Sequence, residues 1–200
     1  MKTTPVLDVS HLPGYGFGHR SLMWWGILGI IVIEGTVFAM LVVTYFYLRG
    51  QVHEWPPHLS PPDLWAGTLN TLILLASVLP NYWVQKVAER EDLRNVQIGL
   101  VLCNVFAIAF IVVRVYEFGT LHCRWDTNAY GSIVWTVLGF HTTHLVTDAI
   151  DTVVLTVLMC IGPVSGRRFV DVEENSFYWY FVVGVWLPLY AVVYFAPRVL

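Results

Sequence analysis

The sequence predicts an all-α fold: a polytopic membrane protein built as a bundle of five transmembrane helices. Three observations carry this expectation. Of the 200 residues, 56% are hydrophobic and only 12% are charged, whereas ordinary soluble domains carry about 25% charged residues. Mean hydropathy is +0.63. Five segments are long and apolar enough to cross the hydrocarbon, which takes about 20 residues of helix. The net charge of −3 comes with no basic run, so the composition offers no nucleic-acid partner.

The expected spans are 22–48, 64–84, 96–118, 130–161 and 177–196. Ahead of the first lies MKTTPVLDVSHLPGYGFGHR, which lacks an apolar core followed by a small-residue cleavage site. The first helix is therefore expected to act as its own insertion signal. The second span follows HEWPPHLSPPDLW, where Ser60 and the group Pro61-Pro62-Asp63 form a helix start. The third runs into VVRVYEFG. The fourth closes on Gly162 and Pro163, and the fifth is the aromatic block FYWYFVVGVWLPLYAVVYF. The first and fourth exceed the minimum length, which permits tilt. With no internal repeat and no soluble insertion, residues 1–200 form a single transmembrane domain.

Basic residues set the expected orientation. Lys2, Arg20, Lys86, Arg90, Arg94, Arg167 and Arg168 fall on one side; Arg49, Arg114, Arg124 and Arg198 fall on the other. The excess places the N-terminus in the cytoplasm and the C-terminus outside. Trp24, Trp25, Trp65, Trp83 and Trp179 lie near span ends, where amphipathic rings favour the headgroup layer. Cys103, Cys123 and Cys160 form no CxxC or Cys/His pair at metal spacing and are packing residues.

Ionisable groups inside a membrane segment are the strongest functional signal such a chain can carry. Glu34 lies about 21 Å along the axis from Arg20, at 1.5 Å per residue. That depth is near mid-bilayer. It either stays protonated or is bonded to a polar group on a neighbouring helix. Gly35 and Ala39 beside it form a small-xxx-small pair that would admit another helix. Asn70 and Thr71 are candidates for bonds across helices. Arg114 and Glu117 have the i,i+3 spacing of an ion pair at the outer interface. Alternatively, Glu117 pairs with a histidine of the fourth span.

That fourth span contains LGFHTTHLVTDAID, in which His141, His144, Asp148 and Asp151 fall within an arc of about 80° on a helix. The stripe is open to four readings: metal site, haem ligand, proton path or hydrogen-bond ladder. A metal would need further ligands from another helix, and Glu34 and Glu117 are the available carboxylates. Haem held by two histidines needs one on each face of the ring. Two histidines one turn apart on one helix cannot supply that. A polar ladder between helices leads, with no metal and no catalytic residue assigned. No phosphate loop, nucleophile elbow, HExxH or CxxCH is present.

Taken in order, these segments resemble subunit III of the haem-copper oxidases, the cytochrome c oxidase group, in its five-helix bacterial form. Glu34 with TVFAMLVVTYFYLR is similar to the family's Glu-bearing helix. LNTLILLAS is similar to its L-N-T-x-x-L-L-x-S segment, and VYEF to its Glu-aromatic helix end. DTNAYGSIVWTVLGFHTTH is similar to D-x-x-Y-G-S followed by T-G-F-H-G-x-H. The last aromatic block is similar to W-Y-W-H-F-V-D-V-V-W-L-F-L-Y. The departures are specific. Thr142 and Asp148 stand where the family usually has Gly, and Asp151 takes a usually apolar position. Tyr180 and Val183 stand where it often has His and Asp.

The resemblance implies an accessory subunit with no haem and no copper of its own, packed on a catalytic subunit I that holds them, among other oxidase subunits. It implies a cleft holding phospholipid, support of proton uptake, and protection from turnover inactivation. It implies a carbodiimide-reactive membrane glutamate, here Glu34, and a place in the bacterial inner membrane during aerobic respiration. Two alternatives stay open: a subunit III-like partner of a nitric oxide reductase, and a small proton-coupled transporter using Glu34 and the stripe.

Overall fold

A computed structural model of the chain describes residues 22–57, 59–162 and 166–199. Lys2, Arg20 and Pro163, used above for orientation and helix ending, lie outside the described residues, as does the side chain of Arg167. Among the described residues the regular structure is helical throughout. Helix α1 spans Leu22–Gly50, α2 Leu64–Ala88, α3 Leu93–Gly119, α4 Ala129–Ile161 and α5 Gly166–Tyr190. A π-helical turn, Ala191–Phe195, joins α5 to a last short helix α6, Ala196–Val199. Among the described residues five helices are long and apolar enough to cross a membrane, so the chain is a multi-pass membrane protein.

The helix starts follow local chemistry. Asp92 caps α3 by accepting from the Asn95 amide at 3.3 Å, and Asn128 caps α4 by accepting from the Gly131 amide at 2.8 Å. Each satisfies one of the first-turn N–H groups that have no partner inside the helix. Asp63 precedes α2 in extended conformation but makes no side-chain cap bond. Its carboxylate instead lies 3.4 Å from Nε2 of His122, in the loop after α3.

Two expectations need correction at the fifth span. It begins at Gly166, not at residue 177. The stretch RFVDVEENS looks polar as a string, yet on a helix Phe169, Val172 and Ser176 share one face and are buried. Phe169 and Val172 close a core cluster with Val84, Val96, Leu100 and Met159 at the end where α2 finishes and α3 starts. With the start moved, Trp179 lies well inside α5. It is buried and donates from Nε1 to Ser77 Oγ at 2.9 Å; it is not a headgroup anchor. Further along, Pro188 lacks the N–H that would continue the ladder, and the π turn follows three residues later.

Helices α2, α3, α4 and α5 form a closed ring, each packed on two neighbours. The larger core cluster fills it, with Leu74, Phe110, Val137, Trp186 and Tyr194 at its centre. Helix α1 leans on the ring from outside, touching α4 and α5. Only 6% of its apolar window is buried, against 33–44% in the other spans. The approach of α2 to the C-terminal segment depends on Gly67, where a Cβ would overlap the ring of Tyr194. Gly67→Ala is therefore expected to destabilise the detergent-solubilised chain by about 1–3 kcal/mol, read as a lower thermal midpoint. Gly139→Ala, where a Cβ meets nothing within 4 Å, is the control and should leave the midpoint unchanged or higher.

Candidate functional site

The polar residues collect at two junctions and one cavity. The first junction is in the centre of the four-helix ring. Arg114 and Glu117, one turn apart on α3, are 0% and 1% exposed, so their ion pair is interior, not interfacial. Arg114 Nη1 stands 3.1 Å from the Glu117 carboxylate. Asn70 of α2 donates to Glu117 Oε2 at 2.8 Å, and the hydroxyl of Tyr194, in the π turn, donates to Oε1. One carboxylate thus joins α2, α3 and the C-terminal segment. The guanidinium Nε and Nη2 make no hydrogen bond among the described residues. The group lies instead 4.2 Å from the ring of Trp186 and 4.9 Å from that of Phe110, where ring faces offset part of the lost hydration.

Trp186 extends this junction in two directions. Its indole N–H donates to Thr71 Oγ1 at 2.8 Å. Its ring stacks on His141 with centroids 4.7 Å apart, and His141 Nε2 is 3.1 Å from the Val182 carbonyl on α5. The aromatics of α5 repeat the pattern along α2. Trp179 reaches Ser77, Tyr180 reaches Gln85 at 3.0 Å, and the Tyr190 hydroxyl lies 2.6 Å from Thr68 Oγ1. The sequence reading assigned no hydrogen bonds to this aromatic block. The available signal was pairing by type: a run of Trp and Tyr in one span, and hydroxyl and amide side chains at Thr68, Thr71, Ser77 and Gln85 in another.

The second junction ties α1 to the ring. Tyr178 of α5 donates to Glu34 Oε2 at 2.7 Å. His144 of α4 places Nε2 3.5 Å from Glu34 Oε1, while its Nδ1 lies 2.8 Å from its own helix carbonyl at Phe140. Glu34 is thus bonded to groups on two neighbouring helices. The histidine's carboxylate is Glu34 and not Glu117. Phe38, one turn on, is buried among Phe140, His141, His144 and Phe181. The small-residue pair works by half. A Cβ on Gly35 would stand 3.7 Å from Phe181, whereas Ala39 is exposed, because the bulk of Phe38 takes the contact on that turn.

The stripe on α4 is consequently not one ladder. His141 faces the core and His144 faces α1. Asp148 is buried, with Oδ2 lacking any hydrogen-bond partner among the described residues. Asp151 is exposed. Both aspartates line a cavity of about 590 Å³ between α1, α4 and α5, together with Glu34, Asp171 and Glu174. Among the described residues, no group of three or more His, Cys, Asp or Glu is placed to hold a metal ion.

Two measurements test these junctions. Glu117→Gln leaves Arg114 as an uncompensated buried charge and should cost about 3–5 kcal/mol. Unfolding in a denaturing-detergent titration reads this directly; a variant as stable as the wild type would refute the role given to Glu117. Tyr178→Phe combined with His144→Ala removes both ties of Glu34, each worth about 1–3 kcal/mol. Hydrogen–deuterium exchange should then rise about tenfold or more in α1 while the α2–α3 hairpin stays protected.

Comparison with known proteins agrees with this arrangement. The family model described as "Cytochrome c oxidase subunit III" matches residues 16–197. Cytochrome c oxidase subunit 3 of Thermostichus vulcanus is 25% identical over 189 residues, covering 90% of each chain. The protein of the same name from Synechocystis sp. is 28% identical, over 97% of this chain and 87% of the relative. Probable cytochrome c oxidase subunit 3 of Mycobacterium bovis is 29% identical, over 79% and 80%. A five-helix membrane bundle matched along nearly its whole length by one family model belongs to that family: the chain is a member of the cytochrome c oxidase subunit III family.

Proposed function

We propose that the chain is the accessory, cofactor-free third subunit of a bacterial haem-copper terminal oxidase in aerobic respiration. One observation carries this reading. The groups that could do chemistry inside the ring, Arg114, Glu117 and His141, are engaged in tying its own helices together. Such a bundle is a scaffold, and oxygen reduction, haem and copper belong to catalytic subunit I and its other partners. Residues 1–200 act as one transmembrane domain in the cytoplasmic membrane, with the N-terminus inside and the C-terminus in the periplasm. The sparsely covered α1 and the cleft it forms with α4 and α5 favour bound phospholipid. Glu34, hydrogen-bonded at the edge of that cleft, is the residue through which the subunit supports proton uptake and protects its partner during turnover. Asn70, Thr71, Gly35 and the remaining polar groups hold the helices in register for that task.

The test is biochemical. Affinity purification of the chain from its native membrane should bring down a haem-copper large subunit, which also separates an oxidase from a nitric oxide reductase. Removal of this chain from the complex should slow steady-state oxygen reduction or shorten the number of turnovers before inactivation. A stripped complex with unchanged rate and lifetime would show that the supporting role is wrong.

A further inference from the structure

The cavity between α1, α4 and α5 has a composition that the scaffold role leaves unused. Its walls come from the start of α1, the end of α4 and the start of α5, so it lies toward one end of the bundle. From Met23 to Glu34 it follows α1 for roughly 17 Å at 1.5 Å per residue. Asp171 and Glu174 line it from α5, Asp151 and Asp148 from α4, and Glu34 from α1. No lysine, arginine or histidine is among the described residues that line it. The remaining wall is hydrocarbon: Met23, Ile27 and Ile30 on one side, Val154, Leu155 and Leu158 on the other.

An acidic cluster alone proves nothing, but Asp148 adds an independent observation. It is 2% exposed, its Oδ2 has no hydrogen-bond partner among the described residues, and it lines this cavity. Burying an ionised carboxylate without a donor is costly, and an ammonium ligand would supply both the donor and the opposite charge. The donors near it are already engaged: Asn175 Nδ2 goes to Thr152 at 3.0 Å, and the Thr147 hydroxyl goes to carbonyls of its own helix. The volume of about 590 Å³ lies within the 300–1,000 Å³ typical of small-molecule sites and far exceeds a bare ion. The carboxylates are spread along the walls and not gathered into a metal cage.

We propose that this cavity binds an organic primary ammonium ion carried on an aliphatic stem. The ammonium N–H groups donate to Asp148 and Asp151, and the stem lies between the apolar walls of α1 and α4. Two sources present this chemistry: a soluble polyamine and an amine-bearing lipid headgroup. Among the described residues the lining offers no lysine, arginine or histidine to a phosphate, so either source is held through its ammonium group. The inference does not depend on the oxidase reading, because the binding can be measured on this chain alone.

The experiment uses the full chain in detergent micelles at low ionic strength. Isothermal titration with spermidine is run on the wild type, on Asp148→Asn/Asp151→Asn, and on Val154→Trp, which fills the cavity and leaves every carboxylate in place. In parallel, native mass spectrometry follows retention of phosphatidylethanolamine against phosphatidylglycerol from mixed vesicles. Spermidine binding weakened at least tenfold in both variants establishes the site with a soluble ligand. Preferential phosphatidylethanolamine retention, lost in both variants, establishes the same ammonium site with a lipid source. No amine binding in either arm, or binding that both variants retain at wild-type strength, overturns the proposal. Circular dichroism of the variants separates loss of the site from loss of the fold.

Discussion

The buried carboxylate of Glu117 is the interaction on which the ring of four helices depends. In a bilayer, hydrophobic burial does not drive helices together, because lipid tails are as apolar as leucine. Close packing and interhelical hydrogen bonds must do it. Glu117 collects Arg114 from its own helix, Asn70 from α2 and Tyr194 from the C-terminal segment. Each partner imposes a further requirement. Tyr194 reaches the carboxylate only because the backbone shifts into a π turn after Pro188, and because Gly67 presents no Cβ to its ring. Arg114 stays inside only because Trp186 and Phe110 cover its faces. Trp186 in turn is fixed by Thr71 and His141.

Helix α1 obeys a different rule. It touches the ring along one edge, tied at Glu34 and Phe38, with Trp24 stacked on Phe177 near its start and Tyr45 buried near its end. Tyr178 and His144 come from different helices and meet on the two oxygens of the same carboxylate. That arrangement sets both the depth and the rotation of α1. On the N-terminal side of Glu34 the cavity lies between α1, α4 and α5, while Trp24 stacks on Phe177 of α5. The cavity's acidic lining comes from all three helices.

Much of this was legible in the sequence. Composition and span length predicted five helices, because a long apolar run has few other physical uses. The spans expected for α1 to α4 overlap the observed helices, although α2 runs past the expected 84 to Ala88 and α3 starts at Leu93, ahead of 96. The start of α5 did not follow, because Phe169, Val172 and Ser176 are apolar or small only on one face and lie among Asp171, Glu173 and Glu174. The depth of Arg114 and Glu117 was also misplaced. Spacing predicts that they pair, but not that α2 and Tyr194 close over them. The α4 stripe shows the same limit. An arc of 80° looks like one surface, yet a helix in a bundle faces the core and an outer neighbour within that arc. His141 and His144 consequently belong to different junctions.

The departures from the family pattern make physical sense when placed on the fold. Tyr180 and Val183 replace ionisable groups on α5, and α5 now meets α2 through neutral donors: Trp179, Tyr180 and Trp186 to Ser77, Gln85 and Thr71. Neutral bonds carry no charge into hydrocarbon and suit a seam that stays closed. Asp148 and Asp151 add ionisable groups to α4, and both face the open side beneath α1. Near the compensated pair Arg114–Glu117 the α2–α5 seam is thus joined by neutral donors, while the α1 edge is acidic. Asp148 makes no bond of the kind by which Glu117 and Glu34 join helices: its Oδ2 has no hydrogen-bond partner among the described residues, and it lines the cavity for which an ammonium ligand is proposed.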